Sequence, residues 1–122
     1  MNLKQIKFSV LMPILERSDI VKGFPLAIES IINNSLLPDQ VLVVIDGPVS
    51  RSFKDLINHY KKKYSLDLLW ISKKVGLDKA LNLGLVKCKN EIIFRADGDD
   101  LNHVKRFEIQ LPYFLCSYDI VG

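Results

Sequence analysis

The sequence predicts an α/β domain, a mostly parallel sheet with helices on both faces. Three observations lead there. Apolar runs of strand length alternate with segments whose apolar residues recur at helical spacing, along all 122 residues. The run Gln40–Asp46 is continuous and rich in β-branched residues, as in a strand covered on both sides. Turn formers sit where the pattern changes, at Pro38-Asp39 and Asp46-Gly47-Pro48.

Ile6 to Met12 is the first expected strand, ended by Pro13, because proline cannot donate to a sheet ladder. A loop through Ser18, Asp19 and Gly23 should follow. Phe24, Ala27, Ile28 and Ile31 then predict a helix over Phe24 to Asn34 with Pro25 near its start. After the Gln40–Asp46 strand, Ser50 can cap a second helix that turns Phe53, Leu56, Ile57 and Tyr60 inward, and Leu66 to Ile71 makes a third strand. A third helix spans Leu77 to Lys87. A glycine inside a helix costs about 1 kcal/mol relative to alanine, so Gly84 points to close approach of another backbone. Glu91 to Ala96 reads as a buried fourth strand. Val104, Phe107, Leu111, Phe114 and Leu115 suggest a last helix that Pro112 kinks or splits, and Tyr118 to Gly122 looks like a strand beginning.

Composition bounds the function. With 48% apolar and 25% charged residues the chain is an ordinary globular domain, able to bury about two-thirds of its unfolded surface. The net charge of +3 comes largely from Lys61-Lys62-Lys63, Lys73-Lys74, Lys79, Lys87 and Lys89, which read as solvated helix ends, with an anion site as the alternative. Nucleic acid is not expected as a partner, because the basic residues are not interleaved with aromatics. Cys88 and Cys116 lack metal-ligand spacing, and Cys88 falls on an apolar helix stripe as a reduced thiol, which suits a cytoplasmic chain. The apolar run Phe8 to Leu15 is too short to span a membrane.

Parallel α/β sheets take ligands beyond the carboxyl ends of their strands. Pro13, Asp46 and Asp97 all fall at such ends. A strand order of 3-2-1-4 would set Asp46 and Asp97 two strand spacings apart, about 10 Å, the span of a nucleoside diphosphate. The tetrad Asp97-Gly98-Asp99-Asp100 crowds carboxylates that need a cation or hydrogen-bond donors to stay ionised. Aspartates separated by one glycine can hold Mg2+ or Mn2+ while leaving positions for phosphate oxygens. A calcium loop does not fit, since Leu101 and Asn102 stand where an oxygen ligand and glycine are required. The plainer alternative is an acidic turn at a helix start.

Four segments together resemble a family 2 glycosyltransferase of the GT-A fold, specifically its Rossmann-like nucleotide-sugar-binding half. They are Phe8–Pro13; Pro38–Val41 with Val44–Pro48; Gly76-Leu77 with Ala80–Leu85; and Arg95–Asp100 with Arg106–Glu108 and Gln110. The likeness is nearest to bacterial enzymes of exopolysaccharide, capsule and lipopolysaccharide synthesis. It implies an inverting enzyme that moves a sugar from a nucleotide-sugar, usually UDP-linked, to a saccharide or lipid-linked acceptor. In that reading Asp46 hydrogen-bonds the base, Asp97 lies near the ribose or metal, Asp99 ligates the metal and Asp100 supports the site. The expected nucleotide-sugar site is Pro13, Glu16, Asp46, Lys74, Asp97, Asp99 and Asp100, with Asp97 and Asp99 on Mg2+ or Mn2+.

Plainer roles compete at several of these positions: Asp46 as a turn former, Arg95 as the partner of a carboxylate, Asn82 as a surface residue, and Arg106 with Glu108 as a brace for the acidic loop. Three positions depart from the family pattern. Ile14-Leu15-Glu16 follow Pro13 where tyrosine and asparagine are frequent, Lys74 replaces an asparagine, and Val104 replaces a proline. A sugar nucleotidyltransferase is disfavoured, because the first strand leads into no glycine-rich loop. The chain is expected to be a single donor-binding subdomain, residues 1–122, truncated at its C-terminus, with the catalytic base beyond Gly122. The expected location is the cytoplasm, including the cytoplasmic face of the inner membrane. The alternative is a catalytically incomplete nucleotide-binding or interaction module, whose exposed apolar surface would favour self-association.

Overall fold

The structure, a computed structural model, describes residues 2–121, with side chains described through Leu115. After a 3-10 turn at Leu3–Gln5, the elements are β1 (Ser9–Ile14), α1 (Ser18–Ile32), β2 (Gln40–Asp46), α2 (Arg51–Tyr64), β3 (Asp67–Ile71), α3 (Leu77–Lys87), β4 (Ile93–Arg95) and α4 (Arg106–Val121). The four strands form one parallel sheet in the order β3-β2-β1-β4.

That order places the helices. Crossovers between parallel strands are right-handed, so the steps β1 to β2 to β3 put their helices on one face, and the return from β3 to β4 puts its helix on the other. Accordingly α1, α2 and α4 share a core with Val10, Met12, Val43, Ile45 and Phe94. Leu11, Leu42 and Val44 meet Ala80 of α3 on the opposite face. Both faces of β1 and β2 are therefore covered, and all their residues are buried. Phe8, Phe94 and Phe107 stack at centroid distances of 5.2–5.4 Å and fasten α4 to β1 and β4.

Several elements differ from the sequence reading. Pro13 does not end β1 but pairs with Val44 inside it, and Ile14 pairs with Ile45. Ser9 donates its N–H to Ile92 on the β4 side, so by alternation the proline nitrogen also faces that side. There β4 has already ended at Arg95, and no donor is needed. α1 starts at Ser18, not Phe24, which brings Gly23 and Pro25 inside it. An internal proline costs about 3 kcal/mol, yet Phe24, Ala27, Ile28 and Ile31 are each fully buried and the large ones return roughly 1.5–3 kcal/mol apiece. β4 is an edge strand of three residues in which only Phe94 is buried, so the fully buried strand expected over Glu91–Ala96 is not found. Pro112 lies inside a single α4, which continues through Val121 where a strand was expected; a short apolar run with no turn signal ahead of it extends the helix it follows.

Other expectations match. Ser50 caps α2, its hydroxyl accepting the Phe53 N–H at 3.3 Å, and Lys61, Lys62 and Lys63 occupy the last turn, where the dipole favours them. Cys88 is half-buried, and burial pushes its thiol upward; the Cys116 side chain lies outside the described residues.

At the amino-terminal rim of the sheet, Gln40 is 6% exposed and accepts from Ser9 Oγ and the Lys89 N–H, both at 2.8 Å, while its amide donates to Asp67 at 2.9 Å. This network ties the starts of β1, β2 and β3 to the end of α3. Sequence reading did not find it, because a single glutamine opening an apolar run gives no pattern.

Gly84 packs against side chains, not backbone. A Cβ there would lie 2.6 Å from Leu11 Cδ1 and 2.8 Å from Val44 Cγ2, both on buried residues. Overpacking costs about 1–3 kcal/mol against about 1 kcal/mol gained in helix propensity. Gly84→Ala is therefore expected to destabilise the domain by up to about 2 kcal/mol on that balance, read as a lower urea midpoint at unchanged slope.

Candidate functional site

Strand order decides where the cleft opens. β1 connects toward β2, while β4 arrives on its other side, so the chain reverses direction between β1 and β4. The last bond between them is the Ala96 N–H to Leu11 O, 3.0 Å. Beyond it lies an open cleft of about 350 Å³, lined by Pro13, Leu15, Arg17 and Ile20 on one side and Arg95, Asp97, Gly98 and Asp99 on the other, with Leu77 at its mouth. Of the residues expected at the site, Pro13, Asp97 and Asp99 come together here. A second polar cleft on the far side of the loop shares Arg95 and Asp97 and adds Asp100, Asn102, His103 and Arg106.

The acidic loop is shaped by glycine and gripped by arginine. A Cβ on Gly98 would lie 2.5 Å from Ile14 Cγ2, so only glycine lets the loop fold back on the end of β1. Arg95 pairs with Asp97 through Nη2 at 3.1 Å, the plainer of the roles open to it. Arg106 donates to Asn102 Oδ1 at 2.5 Å, to the Arg95 carbonyl at 2.8 Å and to Gln110 at 3.1 Å, and lies over the Phe94 and Phe107 rings. Burial lowers its proton affinity, against the pull of Asp97 and Asp100. Partial desolvation, followed by the Asp97 and Asp99 charges, holds the Asp100 carboxyl above the usual carboxylate range, with Arg106 opposing.

The remaining expected residues lie outside the cleft lining. Asp46 is buried, and its two oxygens accept the N–H groups of Val75 at 2.8 Å and Gly76 at 3.0 Å, tying β2 to the loop that enters α3. Lys74, exposed on that loop, packs its backbone and Cβ against Gly47, whose φ of 97° and tight surroundings exclude a side chain. Glu16 accepts both the N–H and the hydroxyl of Ser50 at 2.6 Å, so it steadies the start of α2. Asn82 is exposed on α3.

Sequence reasoning missed the wall that α1 supplies. Gly23 stands against Asp99, and Ser30, Asn34 and Ser35 bond to residues 102–108. The signal was present, since a glycine two residues before a proline within an apolar helical stretch needs a reason, but it read as a loop. Among the described residues, no three His, Cys, Asp or Glu side chains converge as a ready metal cage. The donor set is instead Asp97, half-buried, with exposed Asp99 and Asp100. One or two carboxylates with open positions suit a hard cation that keeps water and phosphate ligands.

A parallel sheet in the order 3-2-1-4 with a cleft at its switch point has the topology of the nucleotide-binding half of an α/β fold. Residues 9–122 match the family model described as Glycosyl transferase family 2, and the chain belongs to that family. It is 35% identical over 118 residues to a UDP-Gal:alpha-D-GlcNAc-diphosphoundecaprenol beta-1,3-galactosyltransferase of Escherichia coli, covering 93% of this chain and 41% of that one. It is 32% identical to the amylovoran biosynthesis glycosyltransferase AmsE of Erwinia amylovora, over 93% of this chain and 42% of the relative. The chain thus spans about two-fifths of these relatives. Among solved structures, S. aureus TarS residues 1–349 in complex with UDP superposes with a TM-score of 0.72 at 20% identity, covering 89% of this chain and 32% of that one, a likeness of fold. The TarS complex with UDP-GlcNAc gives 0.70 over 93% of this chain and 32% of that one.

The Ser50 bonds hold the Glu16 carboxyl below the usual carboxylate range, the hydroxyl contributing first and the N–H second. Its stabilisation is therefore present above the unfolded-state pKa and lost as pH falls through the lower folded value. Thermal unfolding of wild type and Glu16→Gln across pH should show the wild type more stable at neutral pH, with the gap closing in acid.

Proposed function

We propose that the chain is the donor-binding half of a glycosyltransferase that moves a sugar, with inversion, from a UDP-linked nucleotide-sugar to a saccharide or lipid-linked acceptor in bacterial surface-polysaccharide synthesis. The observation that carries this reading is the cleft at the β1/β4 switch point, where Pro13 meets Asp97 and Asp99 beside Arg17 and Arg95. Family membership supports it, as do relatives named for UDP-galactose transfer and amylovoran biosynthesis. The similar fold of TarS, solved with UDP and with UDP-GlcNAc, supports the choice of uridine nucleotide.

Asp97 and Asp99 would hold Mg2+ or Mn2+ on the diphosphate, and the bound cation would supply charge stabilisation for the departing nucleoside diphosphate. The residues of the chain do the rest of the donor's placement. Arg95 pairs with Asp97 and lines both clefts, ready to share the phosphate charge. Pro13, Leu15 and Ile20 give the cleft an apolar wall that limits water on one side. Asp46 serves the nucleoside end: it fixes the loop of Lys74 to Gly76, and a contact to the base would use the lone pairs its two N–H bonds leave free. Glu16 sets the β1–α1 loop at the same end. The base that deprotonates the acceptor belongs, in this reading, to a further segment of the protein. Among the described residues no helix is long and apolar enough to cross a membrane. In this reading the enzyme works in the cytoplasm, including the membrane's inner face.

Calorimetric titration with UDP in the presence and absence of Mn2+, with Trp70 fluorescence as a second signal, is expected to give saturable binding that Mn2+ tightens. No saturable binding under either condition would overturn the reading. Asp99→Asn should weaken the Mn2+-dependent binding by about tenfold or more while sparing binding without metal. Equal losses in both conditions would remove Asp99 from the cation.

A further inference from the structure

We propose that α1 and the turn that follows it position the acidic loop, acting through Gly23 and Ser30 on the helix and through Asn34 just beyond its end; the inference deepens the donor-site reading and rests on it. α1 and the segment 98–107 run side by side in the same direction. Gly23 meets Asp99, Ser30 meets Asn102, and Asn34, just past the helix end, meets His103 and Phe107; from Gly23 to Ser30 the helix rises roughly 10 Å.

Each contact constrains a different part of the loop. A Cβ on Gly23 would lie 3.0 Å from Asp99 Cα and 3.3 Å from its Cβ, so the helix backbone itself sets how deep the Asp99 carboxylate sits. Ser30 donates to the Ala27 carbonyl at 2.7 Å, which aims its oxygen lone pairs at Asn102; it accepts that residue's backbone N–H at 2.9 Å and its side-chain amide at 3.1 Å. Asn34, 5% exposed, donates to the His103 carbonyl at 2.8 Å and accepts the Phe107 N–H at 3.4 Å, and so caps α4 from the turn after α1. Ser35 adds its N–H to the Val104 carbonyl at 2.7 Å. A helix interior favours alanine over glycine and serine, so Gly23 and Ser30 are not explained by α1's own stability and are explained by the loop. Asn34, beyond the helix end, serves both, since its amide also reaches the Ser30 carbonyl at 3.5 Å.

The loop's two carboxylates therefore owe their separation to α1, with Arg106 gripping from the other side. The test compares wild type, Ser30→Ala, Ser30→Thr, Gly23→Ala and Leu26→Ala in the 122-residue chain, Leu26 being exposed on α1. Three quantities are measured: the ratio of UDP dissociation constants without and with Mn2+, amide exchange at Asp99 to Leu101 in the metal-free chain, and the unfolding midpoint. Below their midpoints, Ser30→Ala and Gly23→Ala should cut that ratio by about 3- to 10-fold, speed exchange at Asp99 to Leu101, and leave UDP binding without metal within about twofold. Ser30→Thr, which keeps the hydroxyl, and Leu26→Ala should behave as wild type. A wild-type-like ratio and exchange in both Ser30→Ala and Gly23→Ala would overturn the inference. Absence of any Mn2+ effect in the wild type would overturn the donor-site reading instead, with the exchange comparison still deciding whether α1 positions the loop.

Discussion

The rest of the site depends on β4 parting from β1. The two strands pair over only three residues, and after the Ala96 N–H reaches the Leu11 carbonyl no ladder bond joins them. β1 runs on beside β2 as far as Ile14, so its last residues lose one neighbour and keep the other. Pro13 suits that position because its missing N–H would have pointed at the absent strand. Gly98 suits it because the loop turns back onto Ile14 at a distance no Cβ tolerates. Two residues whose backbones obey special rules thus frame the cleft, and the carboxylates are placed by what those backbones permit.

Charge at this rim is distributed with partners of three kinds. Asp46 is satisfied by two backbone N–H groups, Glu16 by a serine's hydroxyl and N–H, and Asp97 by an arginine. Asp99 and Asp100 are exposed, and desolvation, followed by the charges of Asp97 and Asp99, raises the proton affinity of Asp100. Where the partners are backbone groups, the carboxylate shapes a loop. Where the partner is a mobile side chain or solvent, it stays open to a ligand. The expected carboxylates thus divide: Asp46 and Glu16 hold walls, while Asp97 and Asp99 face the space between them.

Much of this architecture was legible because it follows from patterns. Continuous apolar runs gave β2 to the residue, and helical spacing gave α2 and α3, because burial on a fixed face repeats at a fixed period. The strand order followed from treating the chain as a nucleotide-binding half-fold. What escaped depends on tertiary partners. Pro13 reads as a terminator until the neighbouring strand is known to have left. Gly23 and Pro25 read as loop residues until the apolar face beneath them outweighs their helix cost. Tyr118 to Val121 has strand-like composition and no strand to join. In the site, adjacent acidic residues stood out, whereas Ser30 and Asn34 are polar residues on a helix surface by every local measure, and only the placement of loop 102–107 gives them work.

Gln40 adds a last consequence. Its buried amide fastens the sheet at the rim opposite the cleft, joining three strands and the end of α3 in one hydrogen-bonded knot. Strand register is thereby decided at the end of the molecule away from the cleft. Loops at the other end can change length and chemistry without shifting which side chains face the core, because the alignment they hang from is fixed elsewhere. The ability to diversify a ligand and the ability to keep a fold reside at opposite poles of the same four strands.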